Sequence, residues 1–595
     1  MPAAYAFSRE DLRALVTSRE QGPALERLRS AQFSKHKLLL TAVMRLAADV
    51  RPATYSRTLT GAYALLAQAE TRDRQVVRDL IASPQFGAWA TDCVYRLRAE
   101  EPRHRAGPPL STDLGQLAAV AATAALQTGQ AFDIEVPLRS GTVVFPTVGA
   151  ARPGARVPWE WGRISQDARG RLLRSSVSTV RIPAVGEPAV AGAWSVVPRL
   201  VADADGLRLD VTLDSHDPFL DRYGAARSAV TRHVAVRWQR LLSATWPVLT
   251  GQNYVLAEMI AATVRTVVPL EVPSPTRSAS STETSSFGAV AMSLPPDALT
   301  MAETLVHESH HAVLGAVMDI VPMFASMGDA LTYAPWREDA RPQSALLQGI
   351  YTHYGVTRFW RRQRRVGSAA QRLRGHVEFG RWRTLTEQTA HRLAASGALT
   401  EHGSFFLSAI QRKLAEWQAE SLPDEAREYI ADLSLDHRVR WRLRHLVPDP
   451  AAMDALAACW RRGDKPALAG KRIGVTLGPG SLPGPTDNAR EYLIARRYRD
   501  PEGNESEYDL ADSADTALAA RRYALAARRY RTRIQRGDDR DAWAGLAVAR
   551  RHTGPRRAAR LLATQPEVVA ALYRRVRDSD QASPEAVVAW LADAS

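Results

Sequence analysis

The sequence predicts a mainly helical α+β fold with a helical core, a small antiparallel β region and a helical C-terminal extension. Two observations lead to this prediction. Apolar residues recur at helical spacing through residues 1–105 and again from residue 229, whereas alternating, β-branched segments are concentrated in residues 106–228. With 45% hydrophobic and 24% charged residues, the 595-residue chain has the composition of a globular protein long enough for several cores.

Composition excludes several classes of protein. The formal charge is +15, but only five of the 78 basic residues are lysine, which indicates a coding bias toward arginine. The sequence shows no nucleic-acid-reading module, so we expect no nucleic-acid partner. The two cysteines, Cys93 and Cys459, are too few for a disulfide framework, a cysteine-ligated zinc site or an iron–sulfur cluster.

Targeting and membrane segments are not expected either. The opening residues "MPAAYAFSREDLRALV" lack the basic segment and apolar core of a secretory signal. The longest apolar stretch, "LGQLAAVAATAALQTG", is alanine-rich, contains glutamines and is too short for a membrane span. We therefore expect a cytoplasmic protein without a membrane partner.

The first two of four predicted regions differ in character. Residues 1–105 should form an N-terminal helical region that begins with a capping box at Ser8 and Asp11. Residues 106–228 should form a mixed α/β region, with a helix at 114–127 followed by antiparallel strands in segments such as "FDIEVPL", "GTVVFPTVG" and "LRLDVTL".

Residues 229–420 should form the helical core. Helical spacing runs from 228 to 270, and two further helices are expected near 343–366 and 383–420. Between them, a strand at Phe287–Leu294 should precede a helix started by the residues "PPD".

Residues 421–595 should form a C-terminal helical region. Its segment "RYALAARRYRTRIQRGDDRDAWAGLAVARRHTG" resembles one tetratricopeptide-type helix pair. The matching positions are Tyr523, Tyr530, Ala542, Trp543, Gly545 and Leu546. One such pair does not make a solenoid, which needs about three.

The stretch "TLVHESHHAVLGAV" at residues 304–317 carries an H-E-x-x-H motif. Positions four apart share one helix face, so His307 and His311 can present two imidazoles to one metal ion. Glu308 stands where H-E-x-x-H metallopeptidases hold their general base, and His310 is rotated off this face. The alternative is that the histidines only fill a core, but several ionisable groups on an apolar helix are hard to bury without a purpose.

A metal site needs at least one more ligand. The downstream glycine and histidine of a metzincin are absent, and no Asp or Glu lies between Arg341 and Val377 to act as the third ligand of a gluzincin. The same window contains His353, which lies on an apolar helix. We therefore predict a set of three histidines, His307, His311 and His353, which leaves coordination positions open for a substrate. A hydrogen-bonded core histidine is the alternative for His353.

Taken together, "LVHESHH", "YAPWREDARP" and "LLQGIYTHYGVTRFWRRQR" resemble the H-E-x-x-H proteins associated with ribosomally synthesised peptide natural products. The resemblance covers roughly residues 230–460. It implies Fe(II), 2-oxoglutarate as co-substrate and hydroxylation of the β-carbon of a residue in a precursor peptide, with a radical SAM maturase as an optional partner. Three histidines depart from the usual two-histidine, one-carboxylate triad of such oxygenases, so charge compensation would fall to 2-oxoglutarate and Glu308.

Co-substrate and peptide need their own contacts. Arg341 and Arg337 are the candidates for the distal carboxylate of 2-oxoglutarate, since arginine pairs with carboxylates in a bidentate manner. The segment "FGAVAMSL" could act as an edge strand for an extended peptide, or be an ordinary core strand. The arginine-dense helix predicted at 358–374 could attract an acidic leader peptide, or be a solvated face.

Three functions are therefore open. The first is an Fe(II)- and 2-oxoglutarate-dependent peptide β-hydroxylase. The second is a zinc metallopeptidase in which Glu308 is the general base. The third is a non-catalytic peptide-recognition protein.

Overall fold

The computed structural model divides the chain into two units, Met1–Pro322 and Met323–Ser595. The structure describes residues 7–17, 21–50, 52–99, 107–168, 170–184, 192–220, 226–272, 278–326, 328, 330–465, 473–478, 488–499, 513–537, 539–579 and 582–593. The fold is mainly helical α+β, which confirms the predicted class. The division between the units falls inside the predicted region 229–420.

The first unit combines long helices with short strands. Its α-helices are α1 (Arg9–Thr17), α2 (Gly22–Val50), α3 (Pro52–Arg72), α4 (Arg74–Ala82), α5 (Pro84–Arg98), α6 (Leu110–Leu114), α7 (Gln116–Thr128), α8 (Arg232–Thr263) and α9 (Ala298–Met318). Its strands are β1 (Phe132–Arg139), β2 (Val143–Phe145), β3 (Gly149–Ala151), β4 (Trp159–Asp167), β5 (Gly170–Arg174), β6 (Thr179–Arg181), β7 (Trp194–Val196), β8 (Arg199–Ala204), β9 (Leu207–Leu213), β10 (Thr266–Leu270), β11 (Ser280–Ser281) and β12 (Ala289–Ser293).

The strands form three sheets. Two are antiparallel, with the orders β1-β4-β5-β6 and β2-β3-β7, as the alternating segments predict. The third has the order β11-β12-β10-β9-β8 and is mixed, because β10 runs parallel to both β9 and β12. The β8–β9 hairpin turns at Asp205 and Gly206, which have φ angles of 50° and 77°, the positive values that two-residue hairpin loops favour.

Local capping signals are realised at both ends of the first unit. The amide of Asp11 donates to the Ser8 hydroxyl at 3.1 Å and the Ser8 amide donates to the Asp11 carboxylate at 2.9 Å, so the predicted capping box is confirmed. Directly after β12, the Asp297 side chain accepts the Thr300 amide at 2.8 Å and starts α9. The alanine-rich stretch of residues 114–129 contains α7, a core helix that is buried from Gln116 to Leu126.

One boundary prediction in this unit was wrong. Helical spacing was expected to continue to residue 270, but α8 ends at Thr263 and "TVVPL" is strand β10. A short β-branched run of this kind fits a buried strand as well as a helix, so periodicity alone does not distinguish them. An edge strand and a core strand were both open for "FGAVAMSL". This segment forms β12, which has β10 on one side and β11 on the other, so it is a core strand and β11 is the outer strand.

The second unit is almost wholly helical. Its helices are α10 (Gln343–Gln363), α11 (Ala369–Ala395), α12 (Glu401–Gln418), α13 (Asp424–His445), α14 (Pro450–Arg462), α15 (Ala489–Arg499), α16 (Ser513–Ala519), α17 (Tyr523–Arg536), α18 (Arg540–Thr553), α19 (Arg556–Thr564), α20 (Pro566–Val576) and α21 (Pro584–Ala592). In the described part of this unit, an antiparallel pair joins β13 (Leu446–Pro448) to β14 (Val475–Leu477).

The expected helix at 383–420 is in fact α11 and α12. Gly397, with a φ of 70°, terminates the first, and the Thr400 hydroxyl accepts the Gly403 amide to start the second. The expected helix at 358–374 likewise spans the end of α10, a turn and the start of α11, where Ser368 and Gln371 form a capping box. None of the helices in the described ranges combines the length and apolar character that a bilayer crossing requires.

The segment that resembles a tetratricopeptide-type pair forms two contacting helices, α17 and α18. The two helices pack closely because residue 545 is glycine. A Cβ at this position would lie 2.2 Å from the Tyr530 ring. The Tyr530 hydroxyl donates to Asp515 at 2.6 Å and accepts from Arg490 at 3.1 Å, so the ring is fixed from the opposite end. Helix α18 therefore needs glycine at this position.

We expect Gly545→Ala to lower the free energy of unfolding of the full chain by about 1–3 kcal/mol, because the added methyl overlaps a ring that cannot move away. Urea denaturation measures this. Gly537→Ala is the matched control, since Gly537 has an extended φ of −165° and a Cβ there meets nothing within 4 Å. Equal losses in the two variants would contradict the close approach.

Candidate metal centre

Helix α9 places the two histidines of the motif side by side. The ring centroids of His307 and His311 are 4.9 Å apart, with the planes at 72°. Both side chains are partly exposed, whereas His310 is only 1% exposed and its Nδ1 lies 2.7 Å from the carbonyl oxygen of Val306. His307 and His311 thus share the partly exposed face of a mostly buried helix, and His310 is held inside the unit.

Glu308 lies on the buried side of α9. Its side chain is 1% exposed, and the Thr282 hydroxyl donates to its Oε2 atom at 2.6 Å. Thr282 directly follows β11, the outer strand of the mixed sheet. Farther along α9, Gly315 leaves room for the segment that follows Thr282. A Cβ at this position would lie 3.1 Å from the Thr284 methyl group. The sheet edge and the metal-motif helix are therefore joined at the carboxylate of Glu308.

His353 lies in the second unit, on α10, and is 6% exposed. Its Nδ1 is 2.9 Å from the carbonyl oxygen of Gly349 one turn earlier. A carbonyl only accepts, so Nδ1 carries the proton in the neutral ring and Nε2 carries the lone pair. Metal-ligating histidines commonly have this arrangement, and a core histidine can have it as well.

Two tryptophans enclose the His353 ring. Trp336 stacks on it, with centroids 4.6 Å apart and planes at 16°, and the Trp382 ring centroid lies 4.5 Å away. Trp382 in turn donates its indole N–H to Glu378 at 3.1 Å. Gly349 makes room for Trp336, since a Cβ at this position would lie 2.2 Å from the indole ring. The histidine orientation is thus fixed by a carbonyl and two rings.

The loop that carries Trp336 is anchored to α13. The Tyr333 hydroxyl lies 2.9 Å from Nδ1 of His437, and the Glu338 carboxylate accepts from Arg440 at 2.6 Å and from Arg444 at 2.5 Å. Burial lowers the pKa of His437 to about 4 because it disfavours the charged imidazole, although the nearby Glu491 opposes this shift. His437 is therefore neutral when it contacts the loop near neutral pH.

Arg337 and Arg341 lie in the same loop and share one carboxylate. Nε of Arg337 donates to Asp339 at 2.8 Å, and the guanidinium of Arg341 donates to the other Asp339 oxygen at 2.9 Å. Burial raises the pKa of Asp339, but the hydrogen bonds from the two arginines outweigh it and hold the pKa below its ordinary value. A 2-oxoglutarate carboxylate at either arginine would join or replace Asp339.

The arginine-dense segment at 358–374 is not a simple solvated face. Arg361, Arg364 and Arg365 all form ion pairs with Glu420, and the Arg374 guanidinium lies 4.9 Å from the centroid of the buried Trp360 ring. Four of the seven arginines in this segment therefore pair with a carboxylate or an aromatic ring within the second unit.

His307, Glu308 and His311 belong to the first unit and His353 to the second, so the three-histidine set stays a prediction. Within the described residues, no three His, Cys, Asp or Glu side chains stand in a metal-ligating arrangement. Sequence reasoning missed Thr282, which lies 26 residues before Glu308 in a serine-rich segment without a distinguishing signal. It also missed the role of Trp336, although Gly349 one turn before His353 was a usable sign of close packing.

Thr282→Val should lower the free energy of unfolding by about 1–3 kcal/mol, because the buried Glu308 carboxylate loses a hydrogen-bond donor. Chemical denaturation of the full chain measures the change. Thr282→Ser keeps the hydroxyl and is the matched control, expected close to the parent. A valine variant as stable as the serine variant would show that the hydrogen bond does not contribute.

Stability should also depend on pH through His437. The unfolded chain takes up a proton near the ordinary pKa of about 6.5, whereas the folded chain does so only near 4, so acid favours unfolding in this window. We expect the parent to lose roughly 3 kcal/mol as the pH falls from about 6.5 to about 4. His437→Gln should show a shallower slope in denaturation curves over the same range, and identical slopes would contradict the assignment.

No protein-family model matches this sequence, and no curated protein matches it significantly. The features that bear on function are the geometry of each unit and the three motifs that carry the resemblance. Of these, "LVHESHH" lies in the first unit, and "YAPWREDARP" and "LLQGIYTHYGVTRFWRRQR" lie in the second.

Proposed function

We propose that the chain is a cytoplasmic Fe(II)- and 2-oxoglutarate-dependent hydroxylase, which acts on the β-carbon of a residue in a ribosomally synthesised precursor peptide. The observation that carries the proposal is the pair His307 and His311, whose rings lie 4.9 Å apart on the partly exposed face of α9 beside a buried glutamate. The resemblance of the motif trio supports iron and 2-oxoglutarate over other metal chemistry.

The residues present fit a divalent transition metal. Imidazole nitrogen is a suitable ligand for iron and for zinc, and His307 and His311 stand four residues apart on one helix, as a shared ion requires. His353 would be the third ligand through Nε2, because its Nδ1 faces the Gly349 carbonyl. When bound, iron with 2-oxoglutarate would supply the oxygen activation that no side chain provides.

The protein side chains have positioning roles in this proposal. Thr282 holds the Glu308 carboxylate in one orientation, so that its charge next to His307 is fixed in place. Trp336 and Trp382 surround His353 with apolar surface, which limits the access of water. Arg341, with Arg337 as the second candidate, would pair with the distal carboxylate of 2-oxoglutarate, in exchange with Asp339.

The peptide would bind along the outer strand of the mixed sheet. β11 occupies this edge, and among the described residues its strand pairing is with β12, through Ser280 and Ser281. An extended peptide could add a further strand there by main-chain hydrogen bonds, as many peptide-binding proteins do. Because Thr282 follows β11 and contacts Glu308, a peptide on this edge would run past the carboxylate of the motif.

A zinc metallopeptidase is the second candidate, favoured by the same contact between sheet edge and Glu308. In that function Glu308 would act as general base toward the attacking water, and the peptide on β11 would be cleaved. The absence of reaction on any peptide would instead favour a recognition protein. The products distinguish the three: a peptide heavier by one oxygen atom, two fragments, or an unchanged peptide.

We expect anaerobically purified protein to bind one Fe(II) and to consume 2-oxoglutarate with dioxygen when a cognate precursor peptide is present. Elemental analysis measures the metal, and mass spectrometry measures the peptide. His353→Ala should lose most of the iron and all of the turnover. His391→Ala removes an exposed histidine of the same unit and should retain both.

Full iron binding by His353→Ala would contradict the three-histidine set. Glu308→Gln separates the two enzymes: a peptidase should lose several orders of magnitude in rate, because its general base is gone. A hydroxylase should keep its iron. Its rate should fall only by the amount that the carboxylate of Glu308 contributes to stabilising the metal centre. Fragments in place of an oxygenated peptide would overturn the hydroxylase proposal.

A further inference from the structure

Trp382 connects His353 to the interior of the second unit. Its ring centroid lies 4.5 Å from that of His353, and its indole N–H donates to Oε2 of Glu378 at 3.1 Å. The Arg381 guanidinium lies 4.7 Å from the centroid of the Trp382 ring. A side chain that packs against the histidine is therefore held by two charged groups of α11.

Both of these charged groups have partners on α15. The Tyr498 hydroxyl donates to Oε1 of Glu378 at 3.0 Å, and the Arg499 guanidinium donates to the same oxygen at 2.8 Å. Arg381 forms an ion pair with Glu491 at 2.7 Å. The two donors to the carboxylate are 120 and 121 residues away from it in the sequence, so a helix of the C-terminal region fixes two side chains of α11.

Glu378 and Arg381 are buried deeply enough to depend on these partners. They are 2% and 5% exposed, so a charge left without its partner would cost far more than it does at the surface. Burial raises the pKa of Glu378, but Arg499 and Arg381 outweigh this effect and hold the pKa below its ordinary value. The carboxylate is therefore ionised near neutral pH, where it accepts from Trp382, Tyr498 and Arg499 together.

We propose that α15 sets the orientation of the His353 ring through Trp382. Tyr498 and Arg499 are then positioning residues for the candidate metal ligand, because they fix the Glu378 carboxylate that holds the indole. Loss of either donor lets the carboxylate turn toward its remaining partners, and the indole that packs against the imidazole turns with it. The inference deepens the proposed function and rests on it for the role of His353 as a ligand.

The ring orientation is measured first in the metal-free full chain. Isotope labelling of the histidine Cε1 atoms gives an NMR signal for each ring, and His353→Gln identifies the signal of His353. Arg499→Met and Tyr498→Phe each remove one donor on α15 and should shift this signal, because the ring current of Trp382 acts on it. Arg497→Met, on the opposite side of the same helix, is the matched control and should leave the signal in place.

Co(II) is the metal probe, because its visible absorption depends on the number and geometry of its ligands. The parent and Arg497→Met should bind Co(II) equally, whereas Arg499→Met and Tyr498→Phe should bind it about tenfold more weakly, as loss of an outer-shell partner usually causes. Arg499→Lys keeps a cationic donor and should recover the parent affinity and spectrum. The Arg499 side chain is 40% exposed, so its loss should leave the chain folded, which circular dichroism checks.

An unshifted His353 signal in both Arg499→Met and Tyr498→Phe would overturn the inference. Co(II) binding equal to that of the parent in variants whose signal has shifted would overturn it as well. If the signal shifts but the parent binds no Co(II), α15 sets the ring orientation as inferred, and the role of His353 as a ligand in the proposed function is contradicted instead.

Discussion

The hydrogen bond from Thr282 to Glu308 is the interaction on which the candidate site depends. A carboxylate that is 1% exposed needs a fixed donor, and the donor comes from the end of the outer strand of the mixed sheet. This hydrogen bond fixes the position of the sheet edge relative to α9, and His307 and His311 lie on the partly exposed face of that helix. Any chemistry at these histidines takes place next to a charge whose position is set by the sheet.

In the second unit, one small residue has the comparable role. Gly349 accepts the ring of Trp336 and offers its carbonyl to His353, so one position determines both the stacking partner and the tautomer of that histidine. The loop that carries Trp336 is anchored to α13 by Glu338 and its arginine partners. Orientation of His353 therefore draws on three segments that are far apart in sequence.

Much of the fold could be predicted because its signals are local. The capping box at Ser8, the helix start at Asp297 and the α17–α18 pair each depend on a few adjacent residues. The break between α11 and α12 was missed although Gly397 marks it, because the apolar periodicity continues across the glycine. The contact of Thr282 with Glu308 could not be predicted, since it pairs residues from separate segments and no local preference requires it.

The pairing of Arg337 and Arg341 with Asp339 has a consequence for any carboxylate that binds there. The loop already contains a carboxylate of its own, so an incoming one substitutes for an internal partner and adds little net ion pairing. The binding free energy is then the difference between two similar arginine–carboxylate ion pairs, so the affinity should vary only modestly with ionic strength. Release of the occupant is also eased, because the departing group leaves behind arginines that recapture their own counter-ion.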